Sequence, residues 1–227
     1  VIVMNKIDMS NGIFARLMNG NLNTDDCYQI GYQLGKQISV LPSIYNNRVD
    51  LYGDFVIRHR DIVEWIATSE KYLPKEEAKL YCDFLGDFIE AHKSKLQGAI
   101  NMYGIGIDMH SENAIYTKDG KLLTIDTYPP KEDWRRGYKH INIYRLATDI
   151  YALFGEAGFK KTIEGYIDAT EEILDKEYEK FLVIYSALIM VPYLYMLGEN
   201  DKLRHQGGEK YHHFLRTYFK QTGPIRE

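Results

Sequence analysis

The chain has 227 residues, of which 45% are hydrophobic and 26% charged; this is enough for one domain or two small ones with a real core, and it excludes a disordered chain. The net charge of −4 argues against a nucleic-acid binder, which carries a basic face. Cys27 and Cys82 stand far apart in no paired or ligand-like motif, as expected of buried thiols in a reducing compartment, the cytoplasm.

Val1-Ile2-Val3-Met4, continuing through Asn5 and Lys6 to Ile7, reads as a buried strand already under way. No Met opens the chain and no secretory signal is legible, so a processed, trimmed or designed fragment is expected. Residues 8–23, rich in Asn and Gly, read as a connector. Thr24 can cap a helix whose first turn carries Asp25 and Asp26, suited to the positive N-terminal end. Ile30, Leu34, Ile38 and Leu41 then form one helical stripe, ended by Pro42. A further helix is expected over residues 57–68. Another opens at Pro74, with Leu80, Phe84, Leu85, Phe88, Ile89 and Leu96 on one face.

After Gly98 the pattern changes. Residues 103–112 read as a loop. Residues 114–117 and 122–125 are short apolar runs joined by Lys118-Asp119-Gly120-Lys121, a hairpin turn in which Asp-Gly tolerates positive φ. From Ile141 onward the spacing is helical again, with breaks expected near Gly158, Gly198 and Gly207-Gly208. The uncharged run from Phe181 to Leu197 contains Ser186, Pro192 and three tyrosines, and predicts a buried core helix rather than a membrane span. Most of the 19 tyrosines are expected on helix faces with their hydroxyls at the surface. His212-His213 reads as a solvated pair, and Lys131-Glu132-Asp133 with Arg135-Arg136 as a solvated loop. The whole is a mostly helical body holding one small hairpin.

The chemistry sits in Gly106-Ile107-Asp108-Met109-His110-Ser111-Glu112-Asn113 and Ile125-Asp126-Thr127. A tight hairpin brings its open ends together, so Asn113 and Asp126 become neighbours and Asp108 arrives at the same mouth. Two carboxylates and an amide oxygen there suit Mg²⁺, which takes one or two carboxylates plus substrate phosphates. One carboxylate is left over to orient and deprotonate a hydroxyl. Any one of the three alone is an ordinary turn residue; the constellation with His110 and the hairpin is not.

A catalytic Asp, an Asn five residues on and an Asp beyond a hairpin are the parts of kinase catalytic loops. Asp-x-His-x-x-Asn followed by Ile-Asp resembles the aminoglycoside phosphotransferase and choline kinase superfamily. The resemblance implies a mainly α-helical α+β fold: a protein-kinase-like C-terminal lobe with a small β-hairpin at the catalytic loop. Residues 1–7 would end the small-lobe sheet and hinge, and residues 8–227 would form the helical catalytic lobe, the small ATP-gripping lobe being absent. It also implies an ATP- and Mg²⁺-dependent phosphotransferase acting on a hydroxyl of a small molecule. Asp108 would be the catalytic base, Asn113 and Asp126 would hold Mg²⁺ against the ATP phosphates, and His110 would brace the loop. Ile115 and Ile125 would pack under the adenine. Met4, Asn5 and Ile7 would lie at the hinge, where the backbone of Asn5 and Ile7 would bond the adenine edge. The expected partners are a small hydroxylated substrate and the missing N-terminal lobe, in cis or in trans, with no nucleic acid and no membrane.

This sequence departs from the family pattern in several places. Gly106 and Ile107 replace the usual His-Gly, Thr127 replaces an aromatic residue, and Arg145 stands where an acidic residue often precedes Leu-Ala. Two classes of function follow: the phosphotransferase, and a catalytically inactive kinase-like binding or regulatory module that kept the fold. The three oxygen ligands favour the first; the missing upstream lobe favours the second for this chain as it stands, which is expected to be inactive alone.

Overall fold

In this computed structural model, residues 12–40, 51–98, 102–104, 109–117, 119–125, 136–138 and 140–222 are described. The expected strand and hinge at residues 1–7, including Met4, Asn5 and Ile7, lie outside them, as do Leu41 and Pro42.

The stretch expected as a connector contains a short helix, α1 (Ile13–Met18), because Ile13, Phe14 and Leu17 bury one apolar edge. Helix α2 (Thr24–Val40) follows. Thr24 is its first helical residue and Asn23 is the cap. Asn23 Oδ1 takes the Asp26 N–H at 2.9 Å and Asp26 Oδ2 takes the Asn23 N–H at 3.0 Å, the reciprocal pattern of a capping box. Helix α3 (Leu51–Thr68) begins at Leu51 rather than Ile57, because Leu51 and Phe55 extend the buried edge of Ile62 and Ile66. A 3-10 turn at Glu70–Tyr72 leads to Pro74, the cap of α4 (Lys75–Ala91). The stripe expected to run on to Leu96 is split, with Leu96 in a separate helix, α5 (Lys93–Gly98).

Four longer helices complete the body: α6 (Ile141–Leu153), α7 (Glu156–Thr170), α8 (Lys176–Leu197) and α9 (Lys202–Thr222). Of the expected breaks, Gly198 ends α8. The break before α7 falls instead at Gly155, whose φ of +115° suits glycine alone. Gly158 lies inside α7, and Gly207 and Gly208 lie inside α9. A Cβ on Gly207 would meet the Phe14 ring at 2.8 Å and one on Gly208 the Tyr195 ring at 3.0 Å, so these glycines permit close approach and do not interrupt the helix.

Helix α8 is long and apolar enough to cross a membrane, but 67% of its apolar window is buried inside the protein. It packs as the central core helix, against α3, α4, α6 and α9. Phe181 anchors this core, stacked on Phe55 at 4.4 Å and tilted against Phe88 at 5.4 Å. On the other flank α2 and α7 meet at backbone contact, at Gly31, Gly35 and Gly165.

Among the described residues, two small antiparallel strand pairs accompany the helices in this α+β fold. β2 (Ala114–Tyr116) and β3 (Leu122–Thr124) form the expected hairpin, with Ile115 opposite Leu123 and a φ of +77° at Gly120. Residues 103–112, expected as loop, begin with part of a strand, β1 (Met102–Gly104). It pairs with β4 (Arg136–Tyr138), whose first residue, Arg136, is one expected in a solvated loop.

One further expectation is corrected. His212 is not a solvated residue: its Nε2 lies 2.9 Å from Glu77 on α4 and only 12% of its side chain is exposed. Tyr144, Tyr166 and Tyr211 are fully buried, hydroxyls included.

Candidate functional site

The loop from Met109 to Asn113 closes a tight turn, with the Asn113 N–H donating to the His110 carbonyl at 2.9 Å. Ile125 N–H donates to the Asn113 carbonyl at 2.9 Å, so the two open ends of the hairpin meet. Thr117 locks the far end, where its Oγ1 accepts the Lys121 N–H at 3.0 Å. Neighbouring elements fix this unit from outside. Gly12 bridges Ile115, Phe14 N–H donates to the Ser111 carbonyl at 3.0 Å, and Arg16 Nη1 donates to the Tyr116 carbonyl at 3.2 Å. Gln37 on α2 donates to the Leu122 carbonyl at 2.5 Å. A three-residue strand pair has little stability of its own, so its position comes from these helices.

Of the sequence-predicted residues, His110, Asn113, Ile115 and Ile125 are described; Asp108 and Asp126 lie outside the described residues. His110 is buried with its ring edge-on to Tyr193, the centroids 5.9 Å apart. Asn113 is half-buried, pinned through its backbone at both N–H and C=O. Ile115 is 2% exposed and, in this arrangement, offers no surface to a ligand. The exposed apolar surface of the hairpin comes from Leu123, opposite it in register and 44% exposed, with half-buried Ile125 beyond.

The sequence reading missed the loop's main anchor. Asp149 on α6 is 1% exposed, and its Oδ2 accepts the Ser111 N–H at 2.5 Å. Burial pushes its carboxyl up to about 6, opposed by Ser111 and by the charge of Arg145. Tyr211, from α9, is fully buried, and its hydroxyl closes no hydrogen bond among the described residues. A second strut joins the next loop residue to α9, as Arg204 Nε donates to Glu112 Oε1 at 2.7 Å. A usable signal for Asp149 was present: one acid within Ile141-Asn-Ile-Tyr-Arg-Leu-Ala-Thr-Asp-Ile-Tyr-Ala-Leu153, a helix otherwise fit for burial. A buried carboxylate is stable only when hydrogen-bonded.

Among the described residues, no three or more His, Cys, Asp or Glu side chains converge on a metal-sized site. Asn113 is the described member of the expected Mg²⁺ set. Its amide oxygen is a hard donor of the kind Mg²⁺ takes but too weak to hold the ion alone, so Asp108 and Asp126 would have to supply the charge.

No family model and no curated protein matches the sequence. Solved structures do match. A glucosamine kinase in complex with glucosamine, ADP and inorganic phosphate superposes with a TM-score of 0.61 at 15% identity, over 94% of this chain and 61% of that one. Crystal form A of glucosamine kinase gives 0.59 at 14% identity, over 96% of this chain and 56% of that one. Crystal form B gives 0.58 at 14%, over 94% and 58%. The chain therefore spans about 60% of the length of the kinases it matches, and it has a kinase-like, mainly helical fold.

Proposed function

We propose that this chain is the catalytic lobe of an ATP- and Mg²⁺-dependent phosphotransferase that acts on a hydroxyl of a small molecule, of the aminoglycoside phosphotransferase and choline kinase type. One observation carries the reading. An Asp-x-His-x-x-Asn loop is tied by Ser111 to a buried carboxylate and opens into a β-hairpin, within a fold shared with a small-molecule kinase solved with ADP. In this reading Asp108 aligns and deprotonates the acceptor hydroxyl. Asn113 and Asp126 would hold the metal, whose role is to neutralise the phosphate charge during transfer. Leu123 and Ile125 offer the hairpin's apolar surface to the adenine. A phosphate-gripping small lobe, in cis or in trans, is the proposed partner.

Phosphoryl transfer depends on position and on charge stabilisation more than on covalent chemistry, which suits a loop fixed at backbone atoms from several sides. The test is Mg-ATP turnover by the full-length protein against amino sugars, including glucosamine, and against aminoglycosides and amino alcohols. Asp108→Asn should lower turnover by about 10²–10⁴-fold, the usual contribution of a general base, with much less effect on nucleotide affinity. A fully active Asp108→Asn enzyme would overturn the assignment. Nucleotide binding without turnover of any acceptor would favour the inactive binding module.

A further inference from the structure

Glu112 is the loop residue immediately before Asn113, and its side chain is turned inward, with 9% of it exposed. A carboxylate is stable in such a place only when it is hydrogen-bonded or paired. Its Oε1 accepts from Arg204 Nε at 2.7 Å, whereas Oε2 is buried and takes no hydrogen bond among the described residues. Arg204 is therefore the group that keeps Glu112 inward. An ion pair between two exposed side chains holds little in place. This one is asymmetric, because Arg204 is 37% exposed while Glu112 is nearly enclosed. Arg204 is itself held. Its Nη1 donates to Asp201 Oδ2 at 3.3 Å, and Asp201 Oδ1 caps α9 by accepting the N–H of Leu203 at 2.9 Å and that of Arg204 at 3.3 Å. The corner between α8 and α9 is tight: a Cβ on Gly198 would stand 2.5 Å from the His205 backbone nitrogen. The start of α9 is thus fixed to the end of the core helix, and the guanidinium reaches from there to the loop.

We propose that Arg204 is a positioning residue of the catalytic loop: through Glu112 it sets the place of the turn that ends at Asn113. The inference rests on the phosphotransferase reading for its kinetic consequence, though not for its structural one. The planar guanidinium serves Glu112 through Nε and Asp201 through Nη1 at the same time, a fork that the single nitrogen of lysine does not reproduce. Without Arg204 the Glu112 carboxylate turns out to water, and the loop backbone that carries it moves with it. Errors of position are felt most where the reacting groups must align, so the loss appears in turnover more than in nucleotide affinity.

The test is a double-mutant cycle in the full-length protein, with Arg204→Met, Glu112→Ala and the two together. Each single change should lower turnover by about tenfold and leave the KM for Mg-ATP within about twofold of the parent. Because Arg204 acts through Glu112, the double variant should be about as slow as either single one, whereas multiplied losses of about a hundredfold would mean two separate roles and overturn the inference. Arg204→Lys should recover part of the turnover that Arg204→Met loses. Amide hydrogen exchange supplies a readout independent of activity. The Asn113 amide, bonded to the His110 carbonyl at 2.9 Å, should exchange about tenfold faster in Arg204→Met while the amides of α2 and α7 stay as in the parent. An active parent whose Arg204→Met variant keeps both its turnover and its Asn113 protection overturns the inference. A parent that phosphorylates nothing overturns the kinase reading instead, and exchange at Asn113 alone then decides whether Arg204 positions the loop. Should Arg204→Met fail to fold, Glu112→Ala carries the same two measurements from the other end of the tie, with unchanged turnover and exchange counting against the proposal.

Discussion

Gly165→Ala sets two physical effects against each other, and the structure decides between them. In an isolated helix the substitution should stabilise by about 1 kcal/mol, because alanine is the better helix former. Here a Cβ on Gly165 would stand 2.1 Å from the Tyr28 carbonyl oxygen and 2.9 Å from the Tyr32 nitrogen, both backbone atoms of α2 that no rotamer change can move aside. Cβ atoms essentially never approach closer than 3.0 Å, so α7 must withdraw from α2 by about 0.9 Å. That gap opens along a tight interface, where a Cβ on Gly35 would likewise stand 2.7 Å from the Ala169 Cβ. Overpacking of this kind costs about 1–3 kcal/mol, occasionally more, and lost dispersion along the helix pair adds to it. We expect a net destabilisation of about 2–3 kcal/mol, a fall of about 4–12 °C in Tm for a chain of this size. Because α2 also carries Gln37, the hydrogen bond to the Leu122 carbonyl should lengthen and the hairpin should lose exchange protection. Urea unfolding and amide exchange read both effects. The control is Gly20→Ala, where φ is +67° and nothing lies within 4 Å, so only the backbone strain of about 1–2 kcal/mol remains. A Gly165→Ala protein as stable as the parent would refute the packing argument.

Other perturbations probe the loop, the site and the surface. Asp149→Ala strands the buried Ser111 N–H and should cost about 2–3 kcal/mol in urea unfolding, whereas Asp149→Asn keeps an acceptor and should cost about 1 kcal/mol; equal losses would mean that the bond to Ser111 is not what matters. Asp126→Ala should abolish metal-dependent nucleotide binding in the full-length protein and leave the helical body folded, and calorimetry showing parental Mg-ATP affinity would contradict its proposed role. Glu77 is held down at about 2, first by its hydrogen bonds from Arg216 and then by His212, so its contribution is present above pH 4.5 and lost as pH falls toward 2. The full shift would be worth about 3 kcal/mol, but Arg216 is half-exposed and screening leaves about 1 kcal/mol. Glu77→Gln should flatten the fall of the urea midpoint between pH 5 and pH 2, and an unchanged slope would rule the pair out as a contributor.

What was legible in the sequence was whatever short-range pattern determines. The hairpin is read from Asp119-Gly120 between two apolar runs, and the core helix from the uncharged stretch ending at Leu197. The same logic failed for glycine. Gly207 and Gly208 look like breaks when composition is the only guide, yet their role is set by what stands opposite, a Phe14 ring and a Tyr195 ring, and that is tertiary information. Short elements such as α1 and the β1–β4 pair have too few residues to show a period. At the candidate site the sequence names side chains, but the parts that hold them are backbone groups. The Ser111 N–H, the Asn113 carbonyl and the Phe14 N–H exist at every position and leave no mark on residue identity. Asp149 left a faint one, a single acid in a buried helix. Pairing it with Ser111 required the fold.

The loop's residues are contiguous, while its supports are spread along the chain: Phe14 of α1, Asp149 of α6 and Arg204 of α9. This distribution has a mechanical consequence. A loop held only by its own hairpin could tilt as one body on a three-residue strand pair. A loop held at the Ser111 N–H from one helix, at the Ser111 carbonyl from another and at the Glu112 side chain from a third cannot tilt without breaking one of those contacts. Transition-state stabilisation by positioned groups falls steeply with misplacement of about 1 Å, so in the proposed phosphotransferase the supports would matter as much as the ligands they position. Sequence change in α9, far along the chain from Asp108, is therefore expected to alter turnover without altering which residues line the site.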